Sequence, residues 1–153
     1  FNNHTLPKLW KSKVWGNQIS MAFQHADEAL NLKSTVQQTL MNLPRRKRPK
    51  SNELISKLKM IFDAEVDSSF LKKPIWQLSG GQKQRLNLLR VLLLETPLLI
   101  LDEPLNGLDF KSIKLVIDLL IQRKELGTGI LIISHNEEII QTIVGDNSIY
   151  YLK

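Results

Sequence analysis

Leu78-Ser79-Gly80-Gly81-Gln82, followed by Leu98-Leu99-Ile100-Leu101-Asp102-Glu103-Pro104 and Gly107-Leu108-Asp109, is the stretch that decides the fold of this chain. Ser79 and Gln82 have the spacing of a capping box, with Ser79 as N-cap and Gln82 at the third helical position. They open a helix expected to run to about Glu95. Pro97 then precedes four apolar residues, Leu98–Leu101, the length of a strand buried in a parallel sheet, with Asp102 directly after it. Ile113, Val116, Ile117 and Leu120 mark the next helix, ended near Gly127. Ile130–Ile133 reads as another buried strand with Ser134-His135 at its end, and Asn136 as the cap of a short helix carrying Glu137 and Glu138. Ile149–Leu152 is read as a last strand.

Upstream, Gln18–Phe23 alternates, with Ile19, Met21 and Phe23 on one side, and Gln24 stands where that strand ends. Ser34 with Gln37 has capping-box spacing, and Val36, Leu40 and Leu43 give the helix one apolar face before Pro44 stops it. Leu54, Ile55, Leu58, Ile61 and Phe62 continue the helical spacing. Alternating strand and helix predicts an α/β fold with a parallel sheet and a helical insertion between residues 25 and 78.

Composition narrows the function classes. The 153 residues include no cysteine, which excludes disulfides and thiolate metal sites. No apolar run is long enough to span a bilayer. The chain starts at Phe1 without a charged-then-apolar leader, so no export signal is read, and the missing Met points to a trimmed or incomplete chain. The net charge is +6, but Arg45, Arg46, Lys47, Arg48 and Lys50 concentrate it in one run beside Pro44 and Pro49. No aromatic residues are interleaved with that run, so it reads as a solvated loop and no nucleic-acid partner is expected.

Three polar groups follow strand-like runs directly: Gln24, Asp102-Glu103 and His135. Ligands collect beyond the carboxyl ends of parallel strands, so these groups can converge on one site. Taken singly, Gln24 reads as a surface amide and His135 as a hydrogen-bonded loop histidine. Asp-Glu against a buried strand says more, because charge there costs desolvation energy unless a metal or partner offsets it. One carboxylate can hold Mg²⁺ while its neighbour orients or deprotonates water. The capping box explains Ser79 and Gln82 but not the two glycines between them, each of which weakens a helix by roughly 1 kcal/mol relative to Ala. Their missing β-carbons let a phosphate reach the backbone N–H groups at the helix start.

These ordered motifs, from Gln24 to the C-terminus, resemble the ABC ATPase family. The resemblance implies ATP and Mg²⁺ as cofactors. It makes Gln24 the Q-loop glutamine touching Mg²⁺, Asp102 the Walker B aspartate serving Mg²⁺, and Glu103 the general base. Asp109 becomes the D-loop aspartate and His135 the switch histidine at the γ-phosphate. Family members work as head-to-tail dimers, so Ser79, Gly80, Gly81 and Gln82 would contact ATP held mainly by a second ABC ATPase subunit. A membrane permease subunit would meet the Q-loop and helical subdomain, with the chain cytoplasmic and peripheral on the inner face of the cell membrane. Trp15–Gln24, Ala29-Leu30-Asn31 and Thr35-Val36 are similar to ATPase subunits of peptide and nickel importers, although Trp15 stands for Arg, His25-Ala26 for Asp-Pro, Ala29 for Ser and Leu32 for Pro.

None of the seven glycines opens a G-x-x-x-x-G-K-[ST] phosphate loop. The fold expected is therefore a partial P-loop NTPase sheet with an inserted α-helical subdomain, lacking the Walker A strand and loop. Residues 1–24 are the Q-loop strand region, 25–95 the helical subdomain with the signature motif, and 96–153 the core from Walker B to the switch histidine. By itself such a chain is expected to be inactive. A non-transport ABC ATPase of translation or DNA repair, or a truncated non-catalytic remnant, are the alternatives.

Overall fold

In the computed structural model, residues 13–62, 66–137 and 140–141 are described. The element order is β1 (Ile19–Ala22), α1 (Ala26–Ala29), α2 (Val36–Met41), α3 (Leu54–Lys59), α4 (Ser68–Lys72), α5 (Gly80–Leu92), β2 (Leu98–Asp102), α6 (Phe110–Glu125) and β3 (Gly129–Ile133). The three strands form one sheet in the order β1-β2-β3, and both pairings are parallel. Ser20 lies opposite Leu99 and Leu99 opposite Ile130; Ala22, Leu101 and Ile132 form the next rung on the same face. The α/β fold with helices inserted between β1 and β2 is as the alternation predicts. The last predicted strand, Ile149–Leu152, and Glu138 lie outside the described residues.

One face of this sheet is the floor of the core. Ser20, Ala22, Leu99 and Leu101 are buried there with Leu86, Leu89 and Leu92 of α5 and Val116 and Leu120 of α6. Burying one leucine in such a core stabilises the fold by about 2 kcal/mol. β1 alternates as expected, and its buried side carries Ser20 and Ala22, while Ile19, Met21 and Phe23 stand on the other; Phe23 is 46% exposed. The small side chains let α5 pack closely over β1, and the Ser20 hydroxyl is satisfied by the Thr96 hydroxyl at 2.7 Å. β3 is likewise not buried on both sides, since Leu131 and Ile133 are 52% and 45% exposed. They stand on the face that α5 and α6 do not cover.

The helical insertion has its own apolar centre, with Val36, Leu40, Leu54, Leu58, Ile61 and Ile75 fully buried. The cap of α2 differs from the sequence expectation by one residue: Thr35 and Gln38 form the capping box, not Ser34 and Gln37. The Ser34 carbonyl accepts from the Ile75 N–H at 2.9 Å, and the Val36 N–H donates to the Lys73 carbonyl at 3.0 Å. Those bonds hold the approach to α2 extended and move the first helical residue to Val36. In the basic loop, Lys47 lies 3.8 Å from Glu95, and the Arg48 guanidinium donates twice to the Leu43 carbonyl. At its other side the insertion is tied to α5, where Lys83 pairs with Asp27 at 2.8 Å and Arg90 donates to the Ala29 carbonyl at 3.0 Å. Burial lowers the pKa of that Arg90 guanidinium from its ordinary value. Among the described residues, no helix is long and apolar enough to cross a membrane.

Candidate functional site

The start of α5 is built as its sequence requires. The Ser79 hydroxyl accepts from the Gln82 N–H at 3.2 Å, and the Gln82 side chain accepts from the Ser79 N–H at 3.0 Å. The box leaves the Gly80 and Gly81 N–H groups facing out of the helix end, where no intrahelical carbonyl can reach them. The two glycines differ. A β-carbon on Gly80 would meet nothing within 4 Å, whereas one on Gly81 would lie 3.1 Å from the Gly107 carbonyl oxygen. Gly81 is thus needed for close approach of α5 to the 103–108 turn, and Gly80 stands beside open space.

Glu103 follows β2 with φ of +45°, a left-handed backbone unusual outside glycine. Its N–H donates to the Ile133 carbonyl at 2.9 Å, extending the β2–β3 pairing by one bond. The carboxylate then turns toward the end of β3, where Ser134 Oγ donates to Oε2 at 3.1 Å and the His135 N–H to Oε1 at 2.8 Å. His135 Nε2 is 3.7 Å from Oε1, on a ring wholly open to solvent. The Glu103 carbonyl accepts from the Asn106 N–H at 3.2 Å and from Gln84 Nε2 at 3.4 Å.

Gln24, Glu103 and His135 line one cavity of about 550 Å³, together with Asn106, Gly107 and Ser134. Gln24, Gly80 and Gly81 line a second of about 340 Å³, with Lys83, Gln84, Asn106 and Gly107. Gln24, Asn106 and Gly107 border both, so the spaces beside the glycine-rich helix start and the carboxylate adjoin. Both volumes suit a small organic ligand. Four residues expected at the site line neither cavity. Ser79 and Gln82 are engaged in the capping box. Asp102 ends β2 opposite Ile133. Asp109 caps α6, its carboxylate accepting from the Ser112 N–H at 2.9 Å and the Ser112 hydroxyl at 2.8 Å. Those two bonds hold the Asp109 pKa below its ordinary value.

Gln84, Asn106 and Ser134 were not singled out in the sequence. For Gln84 a signal existed, since it shares one helix face with Leu88 and Val91 and is a polar residue in an apolar row. Asn106 and Ser134 carry no such mark, because polar residues in loops are ordinary.

Comparison with known proteins shows the family. The family model for ABC transporter matches residues 1–106. This chain belongs to the ABC transporter family. Among curated relatives, the nickel import ATP-binding protein NikE of Escherichia coli O157:H7 is 36% identical over 146 residues, covering 92% of this chain and 54% of the relative. Its counterpart in Escherichia coli K12 is 36% identical over 132 residues, covering 84% and 49%. This ABC transporter family chain thus spans about half the length of the curated relatives it matches. In structure it is similar to the ATP-binding cassette MJ0796, a dimer in a post-hydrolysis state bound to ADP and Pi, with a TM-score of 0.70 at 22% identity. That match covers 93% of this chain and 60% of the cassette and establishes the fold, a partial P-loop NTPase-like domain.

The residues present fit part of what a nucleotide needs. The unfilled space at Gly80 and the outward N–H groups suit phosphate oxygens, and the adjoining cavities have room for more of a ligand. No group of three or more acidic or histidine ligands is present among the described residues. Mg²⁺ needs none when phosphate oxygens and waters complete its shell, so one carboxylate and one amide would be a sufficient protein share.

Proposed function

We propose that this chain is the later portion of the ATP-hydrolysing subunit of an ABC importer, of the peptide or nickel type, working at a head-to-tail dimer interface. The observation that carries the reading is the Glu103 carboxylate, fixed by Ser134 and His135 in a cavity that it shares with Gln24. The nickel import function named for the 36%-identical relatives favours transport over a role in translation or DNA repair. In this reading residues 1–24 form the Q-loop strand region, 25–95 the helical subdomain and 96–153 the core from Walker B to the switch histidine.

The roles follow from position. Bound MgATP would supply the phosphoanhydride and the charge neutralisation that make its terminal phosphorus open to attack. Asp102 and the Gln24 amide would hold Mg²⁺. Glu103, already oriented through Oε1 and Oε2, would accept the proton of the attacking water. His135, its ring free in solvent, would donate to a terminal phosphate oxygen. Ser79, Gly80, Gly81 and Gln82 would face nucleotide held mainly by a second ABC ATPase subunit, with Asp109 in the turn between the two sites. A membrane permease subunit would dock at Gln24 and the helical subdomain, which places the chain at the cytoplasmic face of the cell membrane. Because no G-x-x-x-x-G-K-[ST] segment occurs in these 153 residues, the chain by itself does not turn over.

The test is Glu103→Gln in the full-length protein. Steady-state phosphate release should fall by about 10² to 10⁴, while MgATP binding and nucleotide-dependent dimerisation persist. Undiminished hydrolysis would remove Glu103 as the base. Co-purification with ribosomes or DNA, in place of a permease, would overturn the transport assignment.

A further inference from the structure

The first turns of α5 do two things at once. Ser79-Gly80-Gly81 opens the helix toward the second cavity, and in the next turn Gln84, 6% exposed, reaches back to Glu103. Its Nε2 donates to the Glu103 carbonyl at 3.4 Å. That carbonyl belongs to a residue whose φ is +45° and which precedes Pro104, two conditions that narrow its backbone choices. The other bonds to Glu103 come from Ile133, Ser134 and His135 at the end of β3 and from Asn106 in the same turn. Among these contacts, the Gln84 amide is the one contributed by α5. Gly81 brings the helix near enough for this, its missing β-carbon facing the Gly107 carbonyl at 3.1 Å.

We propose that Gln84 is a positioning residue that seats the Glu103 backbone from the signature helix of the same chain. The inference rests on reading Glu103 as the hydrolytic base. Gln84 is buried beside Leu88 and Val91, so its amide loses hydration, and its bond goes to the backbone of the reacting residue rather than within the helix. In a head-to-tail pair the consequence is specific. The helix that offers Ser79, Gly80 and Gly81 to the partner's nucleotide also holds its own chain's carboxylate, so displacement of α5 at one site alters the seating of Glu103 at the other.

The experiment is a double-mutant cycle in the full-length protein, using Gln84→Met, which keeps length and packing but has no donor. MgATP hydrolysis is measured at steady state, and in single turnover where rates are low. Loss of one neutral hydrogen bond that orients the base should lower kcat about five-fold, with KM and MgATP affinity unchanged. In a Glu103→Gln background the same change should alter the residual rate by less than about two-fold, because the group being positioned is gone. Gln84→Glu, nearly equal in shape and lacking the same donor when ionised, is the second variant should Gln84→Met fail to fold. An unchanged kcat, a loss confined to KM, or a full five-fold loss repeated on Glu103→Gln would each overturn the proposal. A wild-type rate that Glu103→Gln leaves intact would instead overturn the assignment of the base, so the two failures are told apart.

Discussion

Replacing Gly80 and Gly81 in turn by alanine separates what the fold needs from what a ligand needs. Gly80 has no positive φ, and a β-carbon on it meets nothing within 4 Å. As a helical residue it should therefore gain from Ala, by about 0.5 kcal/mol at this first-turn position. Gly81 faces the opposite balance. Its β-carbon would sit 3.1 Å from the Gly107 oxygen, inside the 3.4 Å at which ordinary contact begins, and 3.8 Å from Leu108 Cδ2. The Gly107 carbonyl cannot withdraw freely, because Asn106 and Leu108 on either side are bonded to Glu103 and Leu105. An overpacking cost of about 1 kcal/mol then outweighs the propensity gain, for a net loss of about 0.5 kcal/mol. With a urea m-value of about 2 kcal/mol/M, the midpoints should move by about 0.25 M in opposite directions. Urea unfolding followed by tryptophan fluorescence reads this, and MgATP turnover of the full-length variants reads the ligand side. Both variants should lose turnover. A Gly80→Ala variant with a lower midpoint refutes the open space beside the helix. One that is stabilised with full turnover refutes the argument that Gly80 is bare so that phosphate can approach.

Glu103→Gly should be more stable than Glu103→Ala by about 1 kcal/mol, the reverse of the usual order, because only glycine enters the left-handed region freely; equal midpoints in urea would show that the +45° backbone carries no strain. Leu101→Ala, in the fully buried face of β2, should cost about 3 kcal/mol, and Leu131→Ala, on the uncovered face, less than about 1 kcal/mol; comparable losses would mean that both faces are covered. For Asp109 the folded pKa lies below the ordinary 3.8 because Ser112 donates to the carboxylate from its N–H and its hydroxyl. Its contribution to stability is thus present above that ordinary value and lost as pH falls through the lower folded one. Asp109→Asn should flatten the acid side of the stability–pH profile, and an unchanged acid limb in circular dichroism would contradict this.

What was legible in the sequence was decided within a few residues. The capping box at Ser79, the strand from Leu98 and the helix through Val116 and Leu120 all depend on near-neighbour spacing, and all three are present. The slip at α2 shows where that reasoning stops. Ser34 with Gln37 and Thr35 with Gln38 have identical spacing, and what separates them is backbone pairing with residues 73 and 75, about forty positions away. The buried face of β1 lies beyond local spacing for a related reason. Alternation marks two faces, but which one is buried depends on where α5 lies, and α5 takes the face with the smaller side chains, Ser20 and Ala22.

The site divides along the same line. Gln24, Glu103 and His135 could be named because each directly follows a strand, and parallel strands that begin together end together. That rule sets where a residue sits and not what holds it there. Glu103 keeps a backbone that its own side chain disfavours, and the bonds that stabilise it come from residues 84, 106, 133, 134 and 135. The first of these lies on the helix before β2 and the last three at the end of β3, so none could be assigned to Glu103 until the sheet order was known. The groups bearing the chemistry can be read from local sequence because their residue type is constrained. The positioning groups, such as Gln84 and Ser134, need only offer a donor at the right place, which many residue types can do. A polar side chain breaking an apolar helix face, as Gln84 does, is then the sequence feature that most directly marks a positioning residue, because burying that amide without a partner would cost about 1–3 kcal/mol.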